Sequence, residues 1–289
     1  MEEGGFTLVT KSSKMRARPR KGEVACMPSS SSSADDDVTM ETCLARIKEA
    51  RSHLASTQWL TSVKGMVTDS APQRGTSGYA AGGGAAVACS GVLNHAEAGV
   101  EDGCTFHDIV CYGVGHFGHG GASALQAALA LELRESLAIA GDLLLFDPVL
   151  SPNERAAAVS CGFTMIDQNE TGLRNAKVST LFFMPHCGRR LYSNVLRANW
   201  TPEALSSLAI LGNSFSAYRV RMLSPRKQEC CCVSRLGDQV IEQALPLYPF
   251  AQAAFNDTCL HTFPPSPGLE RLLGEGLSED RGGDDHGWC

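Results

Sequence analysis

Four short stretches of this chain hold residues that could bind or react. The first is Gly113-Val114-Gly115-His116-Phe117-Gly118, which fits the GxGxxG pattern. Glycines there allow a tight turn and bring backbone N–H groups close to a phosphate at a helix N-terminus. The acidic partner that would hold a ribose is expected ~20 residues further on, yet Asp147 stands 34 residues after Gly113 and 29 after Gly118. Two readings follow. The turn binds a nucleotide or S-adenosylmethionine, or it is a strand-to-helix turn that needs glycine for its backbone alone.

The second stretch is Met184-Pro185-His186-Cys187. Pro185 has no N–H, so a strand ladder ends there, and it keeps Met184 extended. His186, with an ordinary pKa of ~6.5, can donate or accept near neutral pH. Cys187 would be a nucleophile only beside a base in an exposed, electropositive site. Arg189 and Arg190 are the cations at hand, but adjacent residues of an extended segment point apart, and a buried, inert thiol is the commoner outcome. The third and fourth stretches are Asp147-Pro148 and Gly212-Asn213-Ser214. Asp147 can cap a turn or accept from a ribose, and Asn213 can satisfy a strand-end turn. His116 and His119 make an HxxH beside Cys111, short of the three or four ligands a metal needs, so no metal site is expected.

The elements that must position these residues alternate along the chain. Apolar strands are expected at Ile109–Tyr112, Leu143–Phe146, near Met165, at Thr180–Met184 and at Leu208–Leu211. Helices are expected at Ala122–Ala138, Pro152–Ser160 with Ser151 as N-cap, and Arg190–Ala198. A helix and a last strand are expected between residues 239 and 263. Near-continuous apolar strands alternating with helices predict an α/β, Rossmann-like doubly wound, mainly parallel sheet with helices on both faces. Ligands of such sheets bind outside the carboxyl ends of the strands. All four stretches fall at those ends, so a small-molecule crevice is expected there.

Five segments result. Residues 1–36 are a basic, then serine-rich tail expected to be disordered. Residues 37–62 form a helix packed on the core, with Asp37 as N-cap and Trp59 and Leu60 near its end. Residues 63–104 are a glycine-rich insertion, 105–265 the main domain, and 266–289 an acidic tail expected without structure. A net charge of −6 gives no general nucleic-acid signal. The basic run Lys11 to Lys21 reads as a solvated tail or a nuclear address. No apolar run approaches the ~20 residues of a membrane span, and no secretory leader is read at the start. Twelve cysteines without a CxxC pair suggest free thiols in a reducing compartment.

The motifs TLFFMPHC (Thr180–Cys187), LYSNVLRANW (Leu191–Trp200) and ILGNSF (Ile210–Phe215) together resemble the SRR1-like domain family, named for reduced sensitivity to red light. YGVG at Tyr112, Gln126, FDP at Phe146 and Asn169-Glu170 extend the resemblance over residues 105–218, with a weaker echo at Ala254–Phe263. The chain departs from that pattern at His116 and Gly118, where serines are usual, and at Gly188, where proline is common. The resemblance implies a regulatory protein acting through protein partners in cytoplasm or nucleus. In plants its members are linked to the circadian clock and light signalling, and in animals to haem biosynthesis and clock-gene expression. In yeast they are linked to microtubule stability. It implies no catalytic residues. The candidate binding residues remain Gly113, Gly115, His116, Gly118, Asp147, Pro185, His186, Cys187, Asn213 and Ser214. The rival expectation is a transferase or oxidoreductase using S-adenosylmethionine or a nucleotide at the glycine turn.

Overall fold

A computed structural model describes residues 38–72, 106–221 and 231–277. The basic run, the triple glycine at Gly82 and the final residues lie outside the described residues. Among those described, seven strands form one sheet in the order β3-β2-β1-β4-β5-β7-β6. They are β1 (Asp108–Tyr112), β2 (Leu143–Phe146), β3 (Thr164–Met165), β4 (Thr180–Met184), β5 (Leu208–Asn213), β6 (Ile241–Ala244) and β7 (Thr258–Thr262). The first five are mutually parallel. β7 runs antiparallel to both β5 and β6. The fold is therefore α/β with a mixed sheet, and the expected parallel ladder stops at β5. The pairing sense of a strand is not written in its apolar run.

Alternation along β1, β4 and β5 sends side chains to two separate cores. Ile109, Cys111, Leu181, Phe183 and Leu211 enter one, together with α1 (Met40–Ala55), α2 (Gln58–Asp69), α3 (Gly121–Ser136) and α4 (Pro152–Ser160). Val110, Tyr112, Phe182, Met184 and Ile210 enter the other. That core is closed by α5 (Arg189–Ala198), α6 (Pro202–Ser206), α7 (Phe215–Arg221), α8 (Cys232–Leu236) and α10 (Pro267–Gly274). α9 (Gln252–Phe255) packs on α3.

Three boundaries differ from expectation. The amino-terminal helix is two helices, because the Thr57 hydroxyl accepts from Leu60 N–H and caps α2 afresh. α2 then runs on to Asp69, carried by buried Val63 and Val67. α1 is capped by Thr39, and Asp37 lies outside the described residues. The segment expected as a structureless tail holds α10: Ser266 caps it, Pro267 opens it, and Leu269 and Leu273 are buried one turn apart. Finally, residues 239–263 contain the extra strand β6 and only one turn of helix. None of the described cysteines forms a disulfide. No described helix is long and apolar enough to cross a membrane.

Candidate functional site

The glycine turn joins β1 to α3 and is closed from two sides by carboxylates. Gly115 N–H donates to Asp147 Oδ2 at 2.7 Å, and Val149 N–H donates to Asp147 Oδ1 at 3.0 Å. Asp147 is 4% exposed, so both its oxygens are committed inside the turn. Gly118 N–H donates to Glu154 Oε1 at 2.9 Å, while Ser151 N–H and His116 Nδ1 meet Glu154 Oε2 at 2.9 and 3.0 Å. Burial pushes the Glu154 carboxyl up, but these bonds outweigh it and hold it below the usual carboxylate range. The Gly115 and Gly118 amides are thus spent on two anions.

The glycines have a packing reason as well. Gly115 sits at φ +78, where L side chains rarely go, and a Cβ there would stand 2.8 Å from Ser123 Oγ. A Cβ on Gly118 would stand 2.7 Å from Val38 Cγ1 and 3.0 Å from Cys43 Sγ. The start of α1 therefore rests directly on this turn. His116 and His119 face each other edge-on, with ring centroids 6.2 Å apart. No group of three or more metal-ligating side chains occurs among the described residues.

The Met184–Cys187 turn is held by its neighbours on both sides. Cys187 is buried, and its Sγ–H donates to Tyr112 O at 3.2 Å, at the end of β1. Met184 O accepts from the Tyr192 hydroxyl, which accepts from Asn213 N–H at 2.8 Å. Gly212 makes room for that ring, since a Cβ would meet Tyr192 Cε1 at 2.6 Å. His186 N–H donates to Asn213 Oδ1 at 2.8 Å. Asn213 Nδ2 donates to the Tyr218 hydroxyl at 2.9 Å, and that hydroxyl donates to Cys187 O at 2.7 Å. These bonds hold His186 at φ +56, a left-handed conformation that costs a non-glycine residue ~1 kcal/mol. Pro185 supplies no N–H here, so the ladder does end at Met184.

His186 is the residue of this turn with a side-chain atom to spare. Its Nε2 meets Ala254 O at 3.2 Å, the same carbonyl that accepts from Gln126 Nε2 at 2.9 Å. A carbonyl only accepts, so Nε2 carries a proton in this bond. Nδ1 bonds no described residue and is not among the buried atoms left without partners. His186 is half-buried, at the carboxyl edge of β4.

Ser214 belongs to a different cluster. Its hydroxyl donates to Glu242 Oε1 at 2.5 Å, and Ser216 N–H and hydroxyl reach Glu242 Oε2 at 2.9 and 3.1 Å. Fully buried His261 places Nε2 3.7 Å from the same carboxylate. Burial pushes the Glu242 carboxyl up, and the contacts from His261, Ser214 and Ser216 outweigh it and hold it well below the carboxylate range. The adjacent Cys259 thiol is pushed up to about 12 by burial and by Glu242. Glu242 thus anchors β6 to the start of α7.

Sequence reasoning brought nine of its ten candidates to two adjoining turns and to the ends of β2, β4 and β5, with Ser214 turned aside. It missed Glu154, Tyr192, Tyr218 and Glu242. Only Glu154 had a local signal, the capping box Ser151-x-x-Glu154. Glu170 lies between β3 and β4. It accepts from the Tyr112 hydroxyl at 3.0 Å and pairs with Arg174 through two bonds of 2.8 Å. Asn199 clamps the same loop through Ala176 N–H and Arg174 O. A cavity of about 620 Å³ opens at the opposite, amino edge, lined by His107, Asp108, Arg134 and Lys177 among others. Its Asp108 is taken by His107 and Asp142 N–H, and its Arg134 by Gly162 O.

Fold and site together define an α/β protein whose strand-end turns are tied chiefly to one another. The SRR1 domain matches residues 93–262, more than half of the 289-residue chain, and the chain belongs to that family. It is 33% identical over 169 residues to "Protein SENSITIVITY TO RED LIGHT REDUCED 1" of Arabidopsis thaliana, covering 57% of this chain and 61% of that relative. It is 38% identical over 122 residues to the SRR1-like protein of Mus musculus, covering 42% and 49%. For the Drosophila melanogaster SRR1-like protein the identity is 31% over 156 residues, covering 54% and 55%. The matches thus span about half to three fifths of those relatives. No solved structure matches the chain.

Proposed function

We propose that this chain is a regulator of the light-signalling and circadian kind, or of haem biosynthesis, acting through protein partners in cytoplasm or nucleus. Its working surface is the carboxyl edge around His186. The observation that carries this reading is the state of the glycine turn, whose Gly115 and Gly118 amides already serve Asp147 and Glu154. A phosphate placed there would meet two carboxylates and no free amide from either glycine. Family membership and the name of the Arabidopsis relative support the regulatory class.

A second reading rests on the sheet. We read it as Rossmann-like and doubly wound, because its 3-2-1-4-5 order is that of dinucleotide-binding sheets. Asp147 at the end of β2 would then turn outward to hold the ribose of S-adenosylmethionine or a nucleotide. Thermal shift against S-adenosylmethionine, NAD and ATP separates the two. A ligand bound only by the folded state adds about 2.7 kcal/mol at 100 Kd. The regulatory reading expects flat curves. A shift with any of the three that is lost in Asp147→Ala overturns it. Gly115→Val is a poor probe here, because φ +78 and the Ser123 contact make it a folding variant. In plants lacking the Arabidopsis relative, the wild-type chain should restore the red-light response and His186→Gly should not.

A further inference from the structure

The outer edge of β6 is a second surface, independent of the carboxyl edge. β6 ends the sheet order and pairs only with β7. Its register has Ile241 opposite Thr262, Gln243 opposite Leu260 and Ala244 opposite Cys259. Leu245 N–H donates to Thr258 O at 3.0 Å, which makes residues 245 and 258 a hydrogen-bonded pair. Such pairs alternate along an antiparallel ladder. Gln243 and Ile241 therefore also bond β7, while Glu242 and Ala244 point their N–H and C=O groups outward. Neither residue has a backbone partner for those groups among the described residues.

The edge is short and carries no cation. No Lys or Arg occurs between Asp238 and Phe263, although lysine is a common edge guard. The Glu242 carboxylate does not project past the edge, since Ser214, Ser216 and His261 hold it against the sheet. Three of the exposed large apolar side chains also fall in this one segment: Ile241 at 56%, Leu247 at 67% and Phe250 at 64%. Pro246 and Pro249 limit how far an added strand could extend.

We propose that this edge pairs antiparallel with the same edge of a second copy of the chain, about a twofold axis through Gln243. The edge is self-complementary in that register. Glu242 lies opposite the second copy's Ala244, and Ala244 opposite its Glu242, so all four outward groups of each strand are bonded at once. Ile241 lies opposite the second copy's Leu245, an apolar pair. No like charges face each other, and the interface is isologous, so it closes at two copies.

Sedimentation of the full chain between about 1 and 100 µM, bracketing a weak standard interface, tests the pairing. A monomer–dimer equilibrium is expected. Ala244→Pro removes only an outward donor and spares the β7 ladder, so it should weaken dimerisation at least tenfold with an unchanged melting temperature. Gln243→Cys supplies a test that needs no loss of folding. The axis puts the two introduced thiols opposite each other in a non-hydrogen-bonded pair, with Cα atoms ~4.5 Å apart, within disulfide reach. Mild oxidation should give a covalent dimer of the variant and none of wild type. A monomer at every concentration overturns the proposal. So does a wild-type dimer that Ala244→Pro leaves intact, or one that Gln243→Cys fails to cross-link.

Discussion

The glycine turn and the Met184–Cys187 turn lie side by side at one sheet edge, and both look chemical in sequence. They have been put to opposite uses. In the glycine turn Asp147 and Glu154 hold the Gly115 and Gly118 amides, Glu154 also takes His116 Nδ1, and Gly118 makes room for α1, so that only the His116 ring, 41% exposed, keeps a nitrogen outward. In the second turn the backbone is held as firmly, through Tyr192, Asn213 and Tyr218, yet the His186 ring keeps one nitrogen uncommitted. The glycine motif reports packing, and the less familiar motif carries the poised group. The left-handed φ +56 of His186 carries a cost.

Variants can break this contrast, and the largest effect belongs to the glycine turn. Glu154→Ala strips partners from Gly118 N–H, Ser151 N–H and His116 together. It should cost about 3 kcal/mol, a fall of roughly 6–12 °C in melting temperature at this chain length. The same carboxyl and that of Glu242 sit below their unfolded value of ~4.3. Their contribution is therefore full above that pH and is lost as pH falls through the lower folded values. Equilibrium unfolding followed from pH 7 downward should show the loss in wild type and a shallower one in Glu154→Gln.

Gly118→Ala comes next, at about 2 kcal/mol, because the new Cβ displaces Val38 and Cys43. Urea unfolding that shows no change would mean α1 does not rest on the turn. Asn213→Ala should cost about 1–2 kcal/mol by orphaning His186 N–H, and it should also release the His186 ring. His186→Gly is the smallest. It removes the bond to Ala254 O but relieves the left-handed strain, and terms of ~1 kcal/mol each nearly cancel. Its melting temperature should stay within about 3 °C of wild type while the rescue proposed for plants lacking the Arabidopsis relative is lost. A large drop instead would make His186 a structural residue.

The sequence shows some of this and hides the rest for identifiable reasons. β1, β2 and β4 are visible because both of their faces are buried, which leaves unbroken apolar runs such as Leu143–Phe146. β6 is invisible because Ile241-Glu242-Gln243-Ala244 is a short, exposed edge whose one charged residue turns back to α7. α10 was concealed by its acidic neighbours, although Ser266-Pro267 announces it. The carboxyl edge was legible as a place because strand ends and loops are read from the chain. The commitments of its atoms were not, since Glu154 reaches Gly118 across 36 residues and His186 reaches Ala254 across 68.

The claim that the two turns differ comes down to one nitrogen. Long-range ¹H–¹⁵N correlation of the eight histidine rings, with His186 assigned by its loss in His186→Gln, reads its tautomer directly. The structure predicts Nε2–H, fixed by Ala254 O, with Nδ1 the nitrogen that responds to added partner. A neutral ring protonated at Nδ1 alone would mean that the Ala254 bond is not made. His186 would then not be poised, and the contrast between the turns would fail.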